Sequence, residues 1–241
     1  MIQGITKRLF RKSISKFFIP NVKFSYSQYG EDLILSYLFY ELKIPKPAYL
    51  DIGANHPKFI SNTYFFYEHG SSGVCVEPNP TLAKKFSTLR PKDVILNVGI
   101  GLTNQSEADF YVFPYSAHGL STFSKKEAMH WKEVGMEGIG KINFEKIIKM
   151  PLVNINNIMS DHFPKGPDLL SIDVEGLDLE ILSSLDFNKY APKVICAETL
   201  AYDDNQKGYK DNSISDLLKE KGYFQYADTR INTIFCLKEL L

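Results

Sequence analysis

Ala48-Tyr49-Leu50-Asp51-Ile52-Gly53-Ala54-Asn55 is a short apolar run that ends in a carboxylate, a glycine and an asparagine. Strands of parallel sheets are buried on both faces and read as continuous apolar runs, and ligands sit at their carboxyl ends near a switch in strand order. The run therefore reads as the first strand of an open α/β sheet, with Asp51, Gly53 and Asn55 lining a ligand crevice. The turn that follows discriminates between ligands. A dinucleotide turn spaces glycines as G-x-G-x-x-G so that backbone and helix close on a pyrophosphate. Here Gly53 is followed by Ala54, Asn55, His56, Pro57 and Lys58. Without the second and third glycines a pyrophosphate has no tight cradle. An acid with a single glycine better suits a ligand that is nucleoside at one end and zwitterionic at the other.

Other strand-like runs end in the same kind of residue. A helix is expected from Ser61 to His69, stopped by Gly70, and Ser72 to Pro80 then forms a second strand that ends at Glu77. A carboxylate there, some ~20 residues past the first turn, is where a ribose is met. Glu77 is the candidate for that role, capping of the next helix being its structural alternative, and Asn79 falls near an adenine edge. A helix from Pro80 to Leu89 leads to a third strand, Asp93 to Gly101, with Asn97 at the same edge of the sheet. Asp168 to Gly176 reads as the fourth strand and brings Asp173 beside Asp51, with Glu175 two residues on. Asp178 and Glu180 favour a helix amino terminus rather than chemistry. Lys193 to Thr199 is a fifth strand ending at Glu198. A helix from Ser213 to Lys221 and two final runs, Tyr223 to Ala227 and Thr233 to Leu237, complete the sheet with an antiparallel hairpin.

Between the third and fourth strands, Glu107 to Phe113 alternates polar and apolar residues, as a half-exposed antiparallel strand does. Residues 114–148 follow without a single period, which marks a lid or binding loop. His118 within it is a candidate proton acceptor. Ahead of the first strand, Ser27-Gln28-Tyr29-Gly30-Glu31-Asp32 opens a helix through Leu42. Gln28, Glu31 and Asp32 either cap that helix or fold over the crevice, where Gln28 and Glu31 would touch the ligand. Further upstream, Ile2, Ile5, Leu9, Phe10, Ile14, Phe17 and Phe18 recur at helical spacing, and Lys7, Arg8, Arg11, Lys12 and Lys16 take the other face. This basic amphipathic extension over residues 1–24 packs its stripe on the body of the protein or lies on an anionic membrane surface. Residues 25–241 form one α/β domain.

Composition narrows the function classes. The 241 residues are 44% apolar and 23% charged, with 28 acidic and 28 basic side chains, so no general attraction to nucleic acid is expected. No apolar run reaches the ~18 residues that span a bilayer, and the amino terminus lacks the apolar core of a secretory signal. A cytoplasmic protein is expected, peripheral at the inner membrane surface if the basic helix docks there. Cys75, Cys196 and Cys236 are far apart in strand-like runs and suggest neither disulfides nor a zinc site.

Taken together, Ser27 to Asp32, Leu50 to Asn55, Val76-Glu77-Pro78-Asn79-Pro80, Asn97-Val98-Gly99 and Ile172 to Asp178 resemble the FkbM family of S-adenosylmethionine-dependent methyltransferases. The resemblance covers the chain from about Phe24 onward and implies a Rossmann-like class I methyltransferase fold: a seven-stranded, mostly parallel sheet with a C-terminal antiparallel hairpin. It implies transfer of a methyl group to an oxygen, often a hydroxyl of a sugar or polyketide, so the acceptor is expected to be a carbohydrate or glycolipid. By that resemblance Asp51, Gly53 and Asn55 contact the methionine part of the donor. Glu77 meets the ribose, Asn79 the adenine side, and Asp173 the amino group or the reaction centre. A hydroxyl needs a base, for which His118, Asp173 and Glu175 are the candidates. A divalent cation, magnesium or manganese, held by Asp173 and Glu198 is the alternative way to acidify it. Two other functions share the fold. A nicotinamide-dependent oxidoreductase is disfavoured by the missing glycines, and a non-catalytic binding module would keep the pocket without turnover.

Overall fold

The computed structural model describes residues 23–103, 105–135, 140–174, 176–202 and 208–241. The amphipathic extension, except its last two residues, and Glu175 lie outside the described residues. In chain order the first half contains helix α1 (Glu31–Glu41), strand β1 (Tyr49–Ile52), helix α2 (Tyr64–Glu68), strand β2 (Gly73–Val76) and helix α3 (Pro80–Leu89). Strands β3 (Val94–Leu96), β4 (Gly99–Ile100) and β5 (Glu107–Val112) follow. A 3-10 turn over Tyr115–Leu120, helix α4 (Lys125–Glu133) and strand β6 (Lys146–Val153) then lead to helix α5 (Ile155–His162). The second half runs through β7 (Leu169–Ile172), α6 (Asp178–Ser184), α7 (Phe187–Tyr190), β8 (Val194–Glu198), β9 (Leu200–Tyr202) and β10 (Gly208–Lys210). It ends with α8 (Ser213–Glu220), β11 (Tyr223–Asp228) and β12 (Asn232–Leu237).

The seven strands of the main sheet lie in the order β11-β12-β8-β7-β1-β2-β3. β1, β2, β3, β7 and β8 pair in parallel, and β12 is antiparallel to both β8 and β11. The order reverses beside β1, from which the chain goes outward to β2 and β3 before it returns through β7 on the other side. The expected crevice falls at that reversal.

Side-chain alternation puts helices on both faces. Leu50 and Ile52 of β1 enter a core with Ile155 and Met159 of α5, Ile181 and Leu182 of α6, and Leu218 of α8. Tyr49 enters a second core with Leu35, Leu38 and Phe39 of α1, Phe66 of α2 and Phe86 of α3. Each such fully buried aliphatic side chain contributes roughly 1.5–3 kcal/mol relative to exposure. The second core encloses a charged cluster. Arg90 is fully buried; its Nε lies 2.6 Å from Asp93, and its Nη2 donates to both Tyr49 Oη and Thr63 Oγ1, each at 3.0 Å. The guanidinium stands 5.3 Å from the ring centres of Tyr49, Tyr67 and Phe86.

Three elements differ from the sequence reading. The helix expected from Ser61 starts at Tyr64, because Ser61 Oγ accepts the Tyr64 amide and the preceding Ile60 turns left-handed at φ 53°. The third strand breaks at Asn97. β3 ends at Leu96, and Gly99–Ile100 leaves the main sheet to pair with β6, which pairs in turn with β5. The stretch over 114–148 is not wholly irregular. α4 forms within it, capped by Ser124, whose Oγ accepts the Glu127 amide, and Ala128 and Trp131 pack on Tyr111 and Phe113.

Candidate functional site

At the carboxyl edge of β1 the chain turns through Gly53, whose φ is 79° and whose amide donates to Val76 O at 3.0 Å. A β-carbon at Gly53 would lie 1.8 Å from the carbonyl oxygen of Asp173. Only glycine fits, because here the ends of β1, β2 and β7 press on one backbone turn. Asn55 follows in the left-handed region at φ 51°, which asparagine tolerates better than other side-chain-bearing residues. That conformation aims its amide at Glu77 Oε2, 2.7 Å away; Glu77 Oε1 accepts the Asn79 amide at 2.6 Å. Both carboxylate oxygens are thus held by main-chain donors from the turns after β1 and β2. Burial nevertheless pushes the Glu77 carboxyl up to about 8; the amides of Asn79 and Asn55 pull against it and the charge of Asp51 adds to it.

Glu77 and Gly53 line an open cleft of about 770 Å³, solvent-open space included. Its apolar wall is Ile52, Val76, Val98, Ile100, Phe110 and Ile181. The segment His118 to Phe123 closes one side, and Asp173 stands at the floor. Two buried polar atoms in this cleft have no partner: Asn55 Oδ1 and His118 Nδ1. Buried polar groups are nearly always satisfied, so this pair fits a cleft shaped for a ligand.

The sequence candidates sort by position. Gly53, Asn55, Glu77, His118 and Asp173 converge on the cleft. Asp51 is buried behind it on the Tyr49 face of the sheet, where it accepts from Thr63 Oγ1. Thr63 in turn accepts from Arg90, so a buried chain of hydrogen bonds runs from the Arg90–Asp93 pair to the tip of β1. Burial raises the Asp51 carboxyl, and Arg90 and Thr63 draw it back. Asn79 caps α3, its Oδ1 accepting the Thr81 amide at 3.0 Å. Asn97 donates to the carbonyls of Glu77 and Pro78 at 2.8 and 2.9 Å. These two asparagines brace the Glu77 turn rather than line the cleft.

Gln28 is exposed. Glu31 is fully buried and ties the start of α1 to the β11–β12 turn, accepting from Thr229 Oγ1 at 2.6 Å and Asn232 Nδ2 at 3.1 Å. Burial acts to raise it, but these donors and the Tyr29 amide outweigh burial and hold it below the ordinary value. Asp173 hydrogen-bonds Glu198. Burial pushes Asp173 up, Glu198 pulls it down, and the charges of Asp51 and Glu31 add to the rise. Asp178, held by burial and by Asp173 at about 7, accepts the Val174 amide at the start of α6. His118 has different neighbours: burial and Lys85 both lower it. Among the described residues no group of three or more His, Cys, Asp or Glu side chains is placed to hold a metal ion, and no helix is long and apolar enough to cross a membrane.

Sequence reasoning missed Arg90 and Lys85; it brought Glu198 to Asp173 as a fellow cation ligand, and the two side chains do meet, through a hydrogen bond. Arg90 carried a weak signal: an arginine three residues before an aspartate at a helix end.

Residues 51–224, more than two thirds of the chain, match the family described as the methyltransferase FkbM domain. The chain belongs to this family. The FkbM match begins at Asp51 and so takes in the first turn, Glu77, the β4–β6 insertion, Asp173 and Glu198. The sheet is the expected class I methyltransferase arrangement, mostly parallel with the antiparallel hairpin at one edge. No curated protein matches the sequence. Among solved structures the chain is similar to a TehB-like SAM-dependent methyltransferase from Corynebacterium glutamicum, with 8% identity over 98% of this chain and 100% of that one, and a TM-score of 0.43. It is also similar to TehB from Haemophilus influenzae, with 9% identity over 93% and 66% of the two chains and a TM-score of 0.44. A third is the 1,6-didemethyltoxoflavin-N1-methyltransferase of Burkholderia thailandensis, with 9% identity over 87% and 77% and a TM-score of 0.40.

Proposed function

We propose that this protein is an S-adenosylmethionine-dependent O-methyltransferase acting on a hydroxyl of a carbohydrate or glycolipid. The observation that carries the reading is Glu77: a buried carboxylate at the tip of β2, gripped by two main-chain amides, facing the cleft that Gly53 and Asp173 also line. An acid in that position accepts the hydroxyl protons of a ribose. The apolar wall from Val98 to Ile181 suits the flat faces of an adenine, and the unpartnered Asn55 Oδ1 suits a donor group of the same ligand.

When bound, the donor supplies a methyl group on a sulfonium, from which an oxygen displaces it. The chain's own residues do the rest. Gly53 lets the backbone close under the ligand, and the Asn79 and Asn97 braces keep Glu77 in one orientation, so alignment is set before the acceptor arrives. Orientation of this kind is worth roughly 7–11 kcal/mol at best. An oxygen nucleophile must lose a proton, which a neutral amine with a free lone pair need not do first. Asp173 is the residue proposed to take it: burial raises its basicity, and its hydrogen bond with Glu198 gives the proton a second carboxyl to share. Glu198 acts through Asp173, as a positioning residue. Asp173 and Glu198 are two acids only, and among the described residues no third His, Cys, Asp or Glu is placed to hold a metal ion with them, so the metal-assisted alternative is not adopted. His118 belongs to the wall that covers the opposite side of the cleft.

Methyl-labelled donor incubated with the protein and a cell-derived glycan extract, followed by mass spectrometry, tests the assignment. A labelled methyl ether on a glycan supports it, and label confined to amines would refute the oxygen acceptor. Calorimetry with S-adenosylhomocysteine tests the pocket: Glu77→Ala is expected to weaken affinity more than tenfold, and unchanged affinity removes the ribose role.

A further inference from the structure

The mouth of the cleft carries a charge pattern that neither a zwitterionic donor nor a neutral sugar requires. His118 lines the cleft, as does Ile60 two residues past Lys58; the charges of Lys85, His118 and Lys58 all act on buried His56, that of Lys85 also on His118, and both lysines are half-buried and without an ion pair among the described residues. Aromatic rings flank all four. The Phe59 ring lies 4.6 Å from that of His56, the Tyr115 ring 5.4 Å from that of His118, and Lys85 Nζ 4.6 Å from the centre of Tyr115. Lys58 Nζ lies 5.3 Å from the centre of Tyr64. The acids of the cleft, Glu77 and Asp173, belong to its floor. They are absent from the groups that set the charge of His56, which burial, Lys85, His118 and Lys58 together depress to about 4.

The mouth is also apolar and strained. Phe59, Ile60 and Tyr115 are 68%, 61% and 68% exposed, and Ile60, which lines the cleft, sits at φ 53°. A β-branched residue in the left-handed region is a genuine outlier, costing of order 1–3 kcal/mol, and such strain clusters at ligand clamps. Two uncompensated ammonium groups and an imidazole whose Nδ1 lacks a partner, set beside an exposed aromatic ledge, match a ligand that is anionic at one point and flat or apolar beside it.

We propose that the Lys58–Lys85–His118 rim binds an anionic group, phosphate or carboxylate, carried by the methyl acceptor, while Phe59, Ile60 and Tyr115 pack against the part of the acceptor next to it. This rests on the reading of the cleft as a methyltransferase site and narrows its acceptor to acidic glycans or phosphoglycolipids. Tyr64 lies beneath the Lys58 ammonium and Tyr115 beneath that of Lys85, so each cation is steadied by a ring and neither is spent on an acid among the described residues.

The test is histidine-selective NMR of the whole protein, with and without S-adenosylhomocysteine, titrated with inorganic phosphate, glucuronate or glucose at constant ionic strength. An anion between the lysines offsets the charge that depresses both imidazoles, so their titrations are expected to move up by about one pH unit. Glucose should leave them in place. Movement with phosphate alone assigns a phosphorylated acceptor, and movement with glucuronate alone a uronic acid. Movement with neither, whether or not the homocysteine product is bound, overturns the proposal. Lys58→Ala combined with Lys85→Ala should abolish the anion-induced shift with the circular dichroism spectrum unchanged; a shift that persists in this variant also overturns it. Failure of the methyltransferase reading shows separately, as no heat of association with S-adenosylhomocysteine.

Discussion

Lowering the pH from 9 to 6 carries Glu77, at the floor of the cleft, through its titration. Glu77 carries a carboxyl that burial holds at about 8, and the ribose role requires it ionised, with lone pairs free to accept two hydroxyl protons beyond those spent on the Asn55 and Asn79 amides. If only the ionised form binds, apparent affinity falls with the ionised fraction: nearly complete at pH 9, about one tenth at pH 7 and about one hundredth at pH 6. The dissociation constant of S-adenosylhomocysteine should therefore rise close to a hundredfold between pH 9 and pH 6. Binding at pH 7 should release about 0.9 proton, which calorimetry in buffers of different ionisation enthalpy reads directly. The histidines do not confuse the window, since His56 is held at about 4 and His118 is lowered. Asp178, at about 7, does titrate there, and Asp178→Asn isolates its share. The same shift acts on folding. A carboxyl raised in the folded state favours folding fully below its ordinary unfolded value, and that contribution is lost as pH rises through 8. Ligand-induced stabilisation should therefore grow from pH 6 to pH 9. A dissociation constant flat across this range would refute the ribose assignment at its root.

Glu198→Gln is expected to lower kcat by roughly a hundredfold and to leave S-adenosylhomocysteine affinity within about twofold, because it reaches the cleft only through Asp173; an equal loss in both would mark it as structural. Arg90→Met strands the buried Asp93 carboxylate and should cost about 3–5 kcal/mol, read from chemical denaturation, with Asp93→Asn similar; a change below about 1 kcal/mol would mean that the pair is dispensable. Gly53→Ala drives a methyl group into the Asp173 carbonyl. It should abolish donor binding, and a variant that folds and binds normally would contradict the described closure of β1 on β7.

The strand tips were legible because parallel strands advertise themselves as unbroken apolar runs, and Tyr49–Ile52, Leu169–Ile172 and Val194–Glu198 fall inside the runs read for them. Pro80–Leu89 agreed to the residue, since a proline at the first turn and an asparagine cap leave little freedom. Other elements depend on partners far along the chain. β6 reads Lys146-Ile147-Ile148-Lys149-Met150-Pro151, and of these only Met150 is buried, so its strand character arises from β4 and β5 on either side. α4 buries only Ala128 and Trp131, too few for a period to show. Residue types were more legible than roles. Asp51, Asn79 and Asn97 look like ligand contacts when read as strand ends, yet in the fold their side chains face Thr63, Thr81 and the Glu77–Pro78 carbonyls. Which lone pair points into a cleft is decided by a turn's φ and ψ, and those are set only once the neighbouring strands have met.

The β4–β6 insertion makes one further consequence visible. It enters the cleft through Phe110 and the His118 to Phe123 segment, and its own small sheet and cores hold it together. Glu77, by contrast, is fastened by residues that all precede Gly99. Relatives that exchange the inserted segment would thus acquire new clients while the methyl supply stays untouched, much as a tool keeps its handle when the bit is changed.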